Sequence, residues 1–223
     1  ALERIRVRDI ISGSEPKLRG PLVPQLYPPL TARQSEIATH IRTHWFTMVE
    51  GLPGTGKTSV ITWAFGHYRR VMMCSFVSMM VKSLQRRNGA RKEVAHTIHH
   101  LLALVKHSKQ PEVIMKWLAW FDVLVIDEFS NTSMKLFTKL LKLMTGVRKI
   151  ILVGDHRQLP PLSSGAPMCD LLDRYGSLLL TDNLRVTRGM QALQDAPALI
   201  CDGRVKQLQF TANGPLTLVP RTG

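Results

Sequence analysis

The stretch Gly51-Leu-Pro-Gly-Thr-Gly-Lys-Thr58 decides the fold of this chain. It fits the pattern G-x-x-x-x-G-K-[ST], whose glycines let backbone N–H groups surround phosphate oxygens. Residues 45–50 before it form an extended run, and residues 59–65 after it have an apolar helical pattern. A helix N-terminus at this point adds partial positive charge for an anion. The stretch therefore predicts a phosphate-binding loop between a strand and a helix; the alternative is a glycine loop without a ligand.

The predicted loop gives separate tasks to its side chains and its backbone. Lys57 is expected to reach the β- and γ-phosphates, and the hydroxyl of Thr58 is expected to ligate Mg²⁺. Backbone groups are expected to contact the remaining phosphate oxygens. The candidate nucleotide-binding residues of this segment are Gly51, Leu52, Pro53, Gly54, Thr55, Gly56, Lys57, Thr58 and Ser59.

The composition indicates a globular and strongly basic chain. Of its 223 residues, 44% are hydrophobic, which is enough for an ordinary core and excludes a chain that is disordered by composition. Lys and Arg number 30 against 16 Asp and Glu, and the net charge of +14 favours a polyanionic partner. A basic surface without such a partner is the alternative. The sequence has no apolar run of about 18 residues, so we expect no membrane-spanning segment.

The cysteine pattern bears on the compartment. Cys74, Cys169 and Cys201 are odd in number and far apart, which argues against a disulfide framework and favours a reducing compartment. We therefore expect an intracellular location, in the cytoplasm or nucleus, and in a host cell if the source is viral. The chain begins at Ala1 without Met, and we expect it to be a fragment.

Extended and helical segments alternate along most of the chain. Several prolines break long elements in residues 1–30, which we interpret as an irregular appendage or linker. A helix is expected after Thr31, a suitable N-cap residue. Strands are predicted at 45–50, 71–75, 121–126 and 149–153, and helices at 59–65, 77–87, 97–106, 113–120 and 133–144. This alternation predicts an α/β fold with a parallel sheet flanked by helices.

A pair of acids follows the predicted strand 121–126. In open parallel sheets, ligands bind at the carboxyl ends of the strands, which is where Asp127 and Glu128 fall. Asp127 is expected to hold Mg²⁺, directly or through water, and Glu128 to orient and deprotonate an attacking water. The alternative is a pair of acids that only caps the following helix.

The predicted strand 149–153 leads directly into Gly154-Asp-His-Arg-Gln-Leu-Pro-Pro161. An amide here can accept a hydrogen bond from water and donate one to phosphate, so Gln158 is the candidate sensor of a γ-phosphate. The two prolines stiffen the segment that follows. Taken alone, the segment is also compatible with an ordinary turn.

Together these segments resemble superfamily 1 helicases, nearest the RecD/Pif1-like branch. Residues 51–58 match motif I of that family, residues 126–130 match motif II, and residues 154–161 match motif III with its G-D-x-x-Q-L-P-P pattern. Thr31-Ala-Arg-Gln34 resembles the Q motif, and Thr97-Ile-His99 resembles the T-I-H signature of Pif1-like enzymes. Residues 74–81 lie where motif Ia contacts single-stranded nucleic acid. Residues 180–185 resemble motif IV, which carries an arginine finger.

The resemblance implies a RecA-like ATP-binding helicase core, domain 1A, at residues 31–185. Gln34 would read adenine, and Arg185 would act on the γ-phosphate when a second RecA-like core closes over the site. Residues 186–223 would begin the connection to that second core, which is expected in the remainder of the same polypeptide. The candidate nucleic-acid contacts are Ser75, Ser78, Lys82, Thr97 and His99.

Three smaller features have competing interpretations. Histidines at 96, 99, 100 and 107 have helical spacings, but no Cys or acid cluster joins them, so they predict no further metal site. Trp63, Trp117 and Trp120 have the aromatic rings to stack on bases, but their apolar helical setting favours core packing. Basic residues at 82, 86, 87, 91 and 92 fit either phosphate contacts or a solvated face.

The expected function is an ATP-dependent helicase or translocase on single-stranded nucleic acid. The resemblance favours DNA over RNA and implies 5′ to 3′ movement. ATP and Mg²⁺ are the expected cofactors, and the expected catalytic residues are Lys57, Asp127, Glu128, Gln158 and Arg185. The alternatives are a nucleic-acid-binding module that binds ATP with little turnover, a viral RNA helicase, and a P-loop phosphotransferase such as a nucleoside kinase.

Overall fold

The structure, a computed structural model, describes residues 29–65, 70–76, 78, 81, 95–159, 161, 165–181, 208–209 and 217–218. The helices in these ranges are α1 (Ala32–Thr43), α2 (Lys57–Phe65), α3 (Ile98–His107), α4 (Pro111–Ala119), α5 (Met134–Leu143) and α6 (Pro167–Tyr175). The strands are β1 (Phe46–Gly51), β2 (Val71–Ser75), β3 (Ala95–Thr97), β4 (Val123–Asp127), β5 (Lys149–Gly154), β6 (Leu178–Leu180), β7 (Leu208–Gln209) and β8 (Thr217–Leu218). A 3-10 turn, Phe129–Asn131, links β4 to α5.

Six of these strands form one sheet in the order β3-β2-β4-β5-β1-β6, and every pairing in it is parallel. β7 and β8 form a separate antiparallel pair. The central strand β5 lies between β1 and β4, so the loops that follow these three strands meet at one edge of the sheet. The predicted α/β fold with a parallel sheet flanked by helices is confirmed.

The middle of the sheet is buried on both faces. Strands β2, β4 and β5 consist entirely of buried residues. In β4, Leu124 and Ile126 pack into one hydrophobic cluster with residues of α3 and α5, while Val123 and Val125 pack into a second cluster with residues of α1 and α2. This alternation is the period of two that a strand imposes on its side chains. Continuous apolar runs are therefore needed here, because helices cover both faces.

A capping box begins helix α1. The hydroxyl oxygen of Thr31 accepts a hydrogen bond from the backbone N–H of Gln34 at 3.3 Å, and Gln34 Oε1 accepts one from the backbone N–H of Thr31 at 3.1 Å. The two bonds satisfy donors that a helix start otherwise leaves unpaired. The helix start predicted at Thr31 is thus confirmed in detail.

A buried lysine holds the other end of α1. Lys149, at the start of β5, has no exposed surface, and its Nζ donates to the backbone carbonyls of Ile41, Arg42 and His44. A helix leaves its last carbonyls without partners and has partial negative charge there. Lys149 therefore neutralises and satisfies this helix end while it anchors α1 to the central strand.

The observed elements differ from the predicted ones at a few boundaries. The strand predicted at 121–126 begins at Val123, because Phe121 and Asp122 donate backbone hydrogen bonds to Leu118 and Arg70 outside the strand ladder. Short elements β3 and β6 and helix α6 were not predicted; β3 and β6 have three residues each, too few for a hydrophobic period to be recognised. The helix predicted at 77–87 and the appendage predicted at 1–30 lie almost wholly outside the described residues.

The tryptophans differ in their surroundings. Trp63 and Trp117 pack partly buried against the two hydrophobic clusters, as expected. The prediction of core packing is wrong for Trp120, because 47% of its surface is exposed. The guanidinium of Arg70 lies 5.9 Å from the centre of the Trp120 ring, and Arg70 Nε donates to the backbone carbonyl oxygen of Trp120 at 2.8 Å.

Within the described ranges, no helix has the length and apolar character needed to cross a membrane.

Candidate nucleotide-binding site

The loop between β1 and α2 has the backbone that phosphate binding requires. Gly54 and Gly56 adopt φ angles of 96° and 83°, in the left-handed region that favours glycine. A Cβ atom at Gly51 would lie 2.5 Å from Thr55 Oγ1 and 2.9 Å from the carbonyl oxygen of Leu180. The glycines predicted to form the cradle are therefore required by this loop conformation and by its packing against β6.

Lys57 begins helix α2 and turns its amine back over the loop. Its Nζ donates to the carbonyl oxygen of Gly51 at 2.6 Å and to that of Leu52 at 3.3 Å. Only 8% of its surface is exposed. The ammonium group therefore lies inside the cradle, at the N-terminus of α2, where an anion is favoured.

Thr58 and Asp127 meet across the sheet edge. The hydroxyl of Thr58 donates to Asp127 Oδ2 at 3.3 Å, and the backbone N–H of Glu128 donates to Asp127 Oδ1 at 3.0 Å. Burial raises the pKa of Asp127 from its ordinary 3.8 to about 6, and the neighbouring carboxylate of Glu128 adds to this rise. Both hydrogen bonds and the ammonium of Lys57 oppose the rise.

These two side chains have the chemistry of a Mg²⁺ site. A hydroxyl and a carboxylate are hard oxygen ligands, and Mg²⁺ is usually bound by one or two such groups together with phosphates. The raised pKa of Asp127 reflects a buried negative charge without a full counter-charge, which a divalent cation would supply. The residues therefore fit the expected ion. Elsewhere in the described residues, no group of three or more His, Cys, Asp and Glu side chains is placed to hold a metal.

Glu128 stands at a strained point of the backbone. Its φ of 54° and ψ of 44° place it in the left-handed helical region, and it is the only non-glycine residue in the described ranges with a positive φ. This conformation is uncommon for Glu, and such outliers cluster at functional sites. The chain turns there from β4 into the 3-10 turn, beside the carboxylate of Asp127.

The loop after β5 brings Gln158 beside the acidic turn. The backbone N–H of Gln158 donates to the carbonyl of Asp155 at 3.1 Å, and that of Arg157 donates to Asp155 Oδ1 at 3.1 Å. The hydroxyl of Ser130, two residues after Glu128, lies 3.5 Å from Gln158 Oε1. The predicted γ-phosphate sensor and the predicted general base therefore occupy neighbouring loops. Ser130, which was not singled out in the sequence, is the residue between them.

Gln34 lies against the phosphate loop. Its Nε2 donates to the carbonyl oxygen of Thr55 at 3.1 Å, and only 2% of its surface is exposed. Since its Oε1 caps α1, both polar atoms of the side chain are engaged within the protein. The structure thus assigns Gln34 a contact with the loop backbone, in addition to the adenine contact that the resemblance implies.

The candidate nucleic-acid residues divide into three groups. Ser75 pairs in register with Thr97 on one side and with Asp127 on the other, so these three residues end adjacent strands. Ser75 is buried, and the Thr97 hydroxyl caps α3 by accepting the N–H of His100 at 3.1 Å. His99 and Ser78 are exposed, and the His99 ring lies 5.3 Å from that of Phe76. Lys82 and Arg185 lie outside the described residues, as does the basic group at 82–92.

A buried carboxylate that the sequence reasoning missed lies directly before the phosphate loop. Glu50 Oε2 contacts His156 Nδ1, and Glu50 Oε1 contacts the hydroxyl of Ser177. Only 6% of the Glu50 surface is exposed. The only sequence signal was an acidic residue inside an otherwise apolar strand, and no pattern connected it to its partners.

The comparison with protein families agrees with this geometry. The sequence profile of the family described as an AAA domain matches residues 29–217. The chain belongs to this AAA-domain family. The match spans the phosphate loop, the acidic turn and the β5 loop. The predicted resemblance to the RecD/Pif1-like branch of superfamily 1 is confirmed.

Several curated relatives of this AAA-domain chain are RecD proteins. It is 26% identical over 175 residues to the ATP-dependent RecD2 DNA helicase of Deinococcus radiodurans, covering 77% of this chain and 24% of that protein. It is 26% identical over 160 residues to the RecBCD enzyme subunit RecD of Haemophilus influenzae, covering 60% of this chain and 25% of that subunit. The chain therefore spans about a quarter of the length of these relatives.

Solved Pif1 helicases share its fold. A Bacteroides Pif1 helicase in complex with ADP-AlF3 and single-stranded DNA superposes with a TM-score of 0.56 at 19% identity, covering 77% of this chain and 47% of that one. The Pif1 helicase of Candida albicans gives a TM-score of 0.54 at 17% identity, covering 76% of this chain and 44% of that one. At these identities, the likeness establishes the RecA-like fold of this AAA-domain chain.

Proposed function

We propose that this chain is the nucleotide-binding core of an ATP-dependent DNA helicase that translocates on single-stranded DNA. One observation carries the proposal. Two separate parts of the sequence meet at one edge of the sheet, the pair Lys57 and Thr58 and the pair Asp127 and Glu128. Thr58 Oγ1 and Asp127 Oδ2 are 3.3 Å apart there. This combination is what phosphoryl transfer to water needs, because catalysis there depends on positioning and charge neutralisation.

Each residue would act at a stated atom of the reaction. The ammonium of Lys57 would neutralise charge on the β- and γ-phosphate oxygens, while backbone N–H groups of the loop bind the remaining oxygens. Glu128 would orient the attacking water and accept its proton as the bond to the γ-phosphorus forms and the bond to the leaving ADP oxygen breaks. Thr58 and Asp127 would hold Mg²⁺, which when bound neutralises phosphate charge.

Four further residues would support hydrolysis or connect it to the state of the protein. Gln158 would sense the γ-phosphate from the loop after β5, since its amide can donate to phosphate and accept from water. Its neighbour Ser130 follows the acidic turn, so a change at the γ-phosphate reaches both loops. Gln34 would hold the phosphate loop through the Thr55 carbonyl and contact adenine with its remaining amide hydrogen. Arg185 would complete the site when a second RecA-like core closes over it.

The proposed track is DNA, followed from 5′ to 3′. Two observations support a DNA track: the net charge of +14 favours a polyanion, and the similar curated proteins include an ATP-dependent DNA helicase. The 5′ to 3′ direction rests on the family resemblance alone. Ser75 and Thr97 end the β-strands β2 and β3 beside Asp127 at the end of β4. A DNA strand bound at these residues would therefore lie next to the nucleotide site. Exposed His99 and Ser78 would contribute contacts to that strand, together with Lys82.

The test is phosphate release from ATP at low salt, with and without single-stranded DNA or RNA of equal length. We expect stimulation by DNA and loss of turnover in the Glu128→Gln variant, which keeps the shape of the side chain but removes the base. Stimulation by RNA alone would replace the proposed track with RNA. Absence of turnover with every polymer would contradict a motor function for this chain.

One alternative is favoured by a specific observation. Because the chain spans about a quarter of its RecD relatives, it is compatible with an ATP-binding module that binds nucleic acid and turns over little by itself. Polymer binding without stimulated phosphate release would support that module. A phosphotransferase would instead give a phosphorylated acceptor and no free phosphate, which product analysis distinguishes.

A further inference from the structure

We infer that Glu50 is a positioning residue for ATP hydrolysis. Glu50 lies in β1, the strand that leads into the phosphate loop, and its contact with His156 anchors to β1 the loop that contains Gln158. This inference rests on the proposed function. It concerns side chains outside the four residues that carry that function.

Both oxygens of the Glu50 carboxylate are occupied. His156 Nδ1 lies against Oε2, and the hydroxyl of Ser177 lies against Oε1. An ionised carboxylate only accepts hydrogen bonds, so His156 must carry its hydrogen on Nδ1 and Ser177 must donate. Only 6% of the surface of Glu50 is exposed, and a carboxylate on such a residue would be costly without donors. These two contacts therefore fix Glu50 and, with it, the ring of His156.

The position of Glu50 in β1 gives the contact a functional consequence. Glu50 pairs in register with Gly154, the last residue of β5, and precedes Gly51, whose carbonyl accepts the Lys57 ammonium at 2.6 Å. The loop held by His156 thus starts opposite Glu50. A displacement of the phosphate loop is transmitted through one buried side chain to the loop of Gln158.

Without this contact, little in the described residues would hold the loop 155–158 to β1. Its own hydrogen bonds are local: Arg157 and Gln158 both donate to Asp155. The contact from Ser130 to Gln158 is long, at 3.5 Å, and reaches the 3-10 turn after β4 rather than β1. His156 is therefore the side chain that ties this loop to the strand entering the phosphate cradle.

No other charged side chain in the described residues pairs with Glu50 in place of His156. Lys57, the cation nearest in sequence to Glu50, uses its Nζ on the carbonyls of Gly51 and Leu52. Among the described residues, the ion pairs are Arg33 with Glu36 and Arg70 with Asp122, and His156 forms one with Glu50 only when its ring is protonated. No other ion pair to Glu50 exists there, so removal of the His156 donor leaves one buried carboxylate oxygen without its partner.

The experiment compares four single variants and one double variant of the chain under DNA-stimulated turnover. Glu50→Gln removes the carboxylate charge and one of its two acceptor oxygens, and His156→Ala removes the donor. His156→Asn keeps an N–H near the position of Nδ1 and serves as the conservative rescue. Glu36→Gln is the matched control, since Glu36 is an exposed carboxylate paired only with Arg33.

We expect kcat to fall about tenfold in Glu50→Gln and His156→Ala, because small misplacements of catalytic groups cost up to about a hundredfold. The KM for ATP should stay within about twofold, and His156→Asn and Glu36→Gln should retain most of the activity. The double variant Glu50→Gln/His156→Ala should be no slower than either single one, since contacting residues act as a unit.

A second readout is independent of turnover. The ¹⁵N resonances of the His156 ring should show hydrogen fixed on Nδ1 in the wild type and lose that signature in Glu50→Gln. An unchanged kcat in Glu50→Gln, or multiplicative losses in the double variant, would overturn the positioning role. Absence of turnover in the wild type would instead overturn the proposed function, and the ring resonances would still report whether the contact exists.

Discussion

The hydroxyl of Thr58 donates to the carboxylate of Asp127 across 3.3 Å, although 69 residues separate them in the chain. The two residues meet because β1 and β4 flank β5 in a parallel sheet, so the loop after β1 and the end of β4 share one edge. The amine of Lys57 is bound to the loop beside them.

Lys57→Ala should reduce ATP turnover by at least about a hundredfold, because it removes the cation that neutralises transferred charge. Steady-state phosphate release at saturating DNA is the measurement. Lys139→Ala, which removes an exposed lysine on α5, should leave turnover unchanged and serves as the control. Turnover in Lys57→Ala within about twofold of the wild type would contradict the assignment of the site.

Asp127 should make the metal-free protein less stable as pH rises. Burial raises its folded-state pKa from 3.8 to about 6. The folded protein therefore holds this proton where the unfolded chain has lost it, and the contribution to stability is full below pH 3.8 and disappears as pH rises through 6. By linkage the expected loss is about 3 kcal/mol over the whole transition, of which about 2 kcal/mol falls between pH 4.5 and 8.

The measurement is urea denaturation in a chelator between pH 4.5 and 8, for the wild type and Asp127→Asn. The difference in unfolding free energy should favour Asp127→Asn more at pH 8 than at pH 4.5, since Asn does not titrate. Addition of Mg²⁺ at pH 8 should stabilise the wild type and leave the variant largely unaffected. A difference that does not change with pH would show that the pKa of Asp127 is not raised.

Replacing Glu128 by Gly or by Ala should give the same loss of activity but different stabilities. Its φ of 54° is unfavourable for a residue with a Cβ atom, so Glu128→Gly should unfold with a free energy about 0.5–1 kcal/mol higher than Glu128→Ala. Both variants lack the carboxylate and should lose ATP turnover by at least about a hundredfold. Chemical denaturation and phosphate release measure the two effects. Equal stability of the Gly and Ala variants would mean that residue 128 does not adopt the left-handed conformation in solution.

Lys149→Met should destabilise the fold by about 2–4 kcal/mol, because it leaves buried carbonyls at the end of α1 without a donor. Lys142→Met makes the same chemical change on the exposed surface of α5 and should shift the unfolding free energy by less than about 0.5 kcal/mol. Urea denaturation compares the two. A small effect at both positions would show that water replaces the ammonium of Lys149.

The sequence predicts those parts of the site that depend on neighbouring residues. Lys57 and Thr58 belong to one continuous loop, and the glycines around them have a conformation that few other residues adopt. Asp127 was predicted because the carboxyl end of a buried parallel strand is recognisable from its apolar run. Thr31 and Gln34 form the capping box that their spacing suggests, and that box is complete within four residues.

The contacts that the sequence did not predict join distant segments. Glu50 is separated from His156 by 106 residues and from Ser177 by 127, and none of the three belongs to a local pattern that names the others. Residue 149 was expected in a buried strand, but its partners are carbonyls 105 to 108 residues away. The left-handed backbone of Glu128 likewise appears only where β4 turns towards α5.

By itself, the sequence determined the phosphate loop, the alternation of strands and helices, and the acids at the end of a strand, because local backbone preferences and hydrophobic periods are set by adjacent residues. The tertiary structure alone decided that Thr58 meets Asp127, that Glu50 contacts His156 and that Lys149 caps the C-terminal end of α1. These contacts depend on the strand order β3-β2-β4-β5-β1-β6 and on close packing between helices and sheet. Both arise from the burial of apolar surface over the whole domain, which no short stretch of sequence specifies.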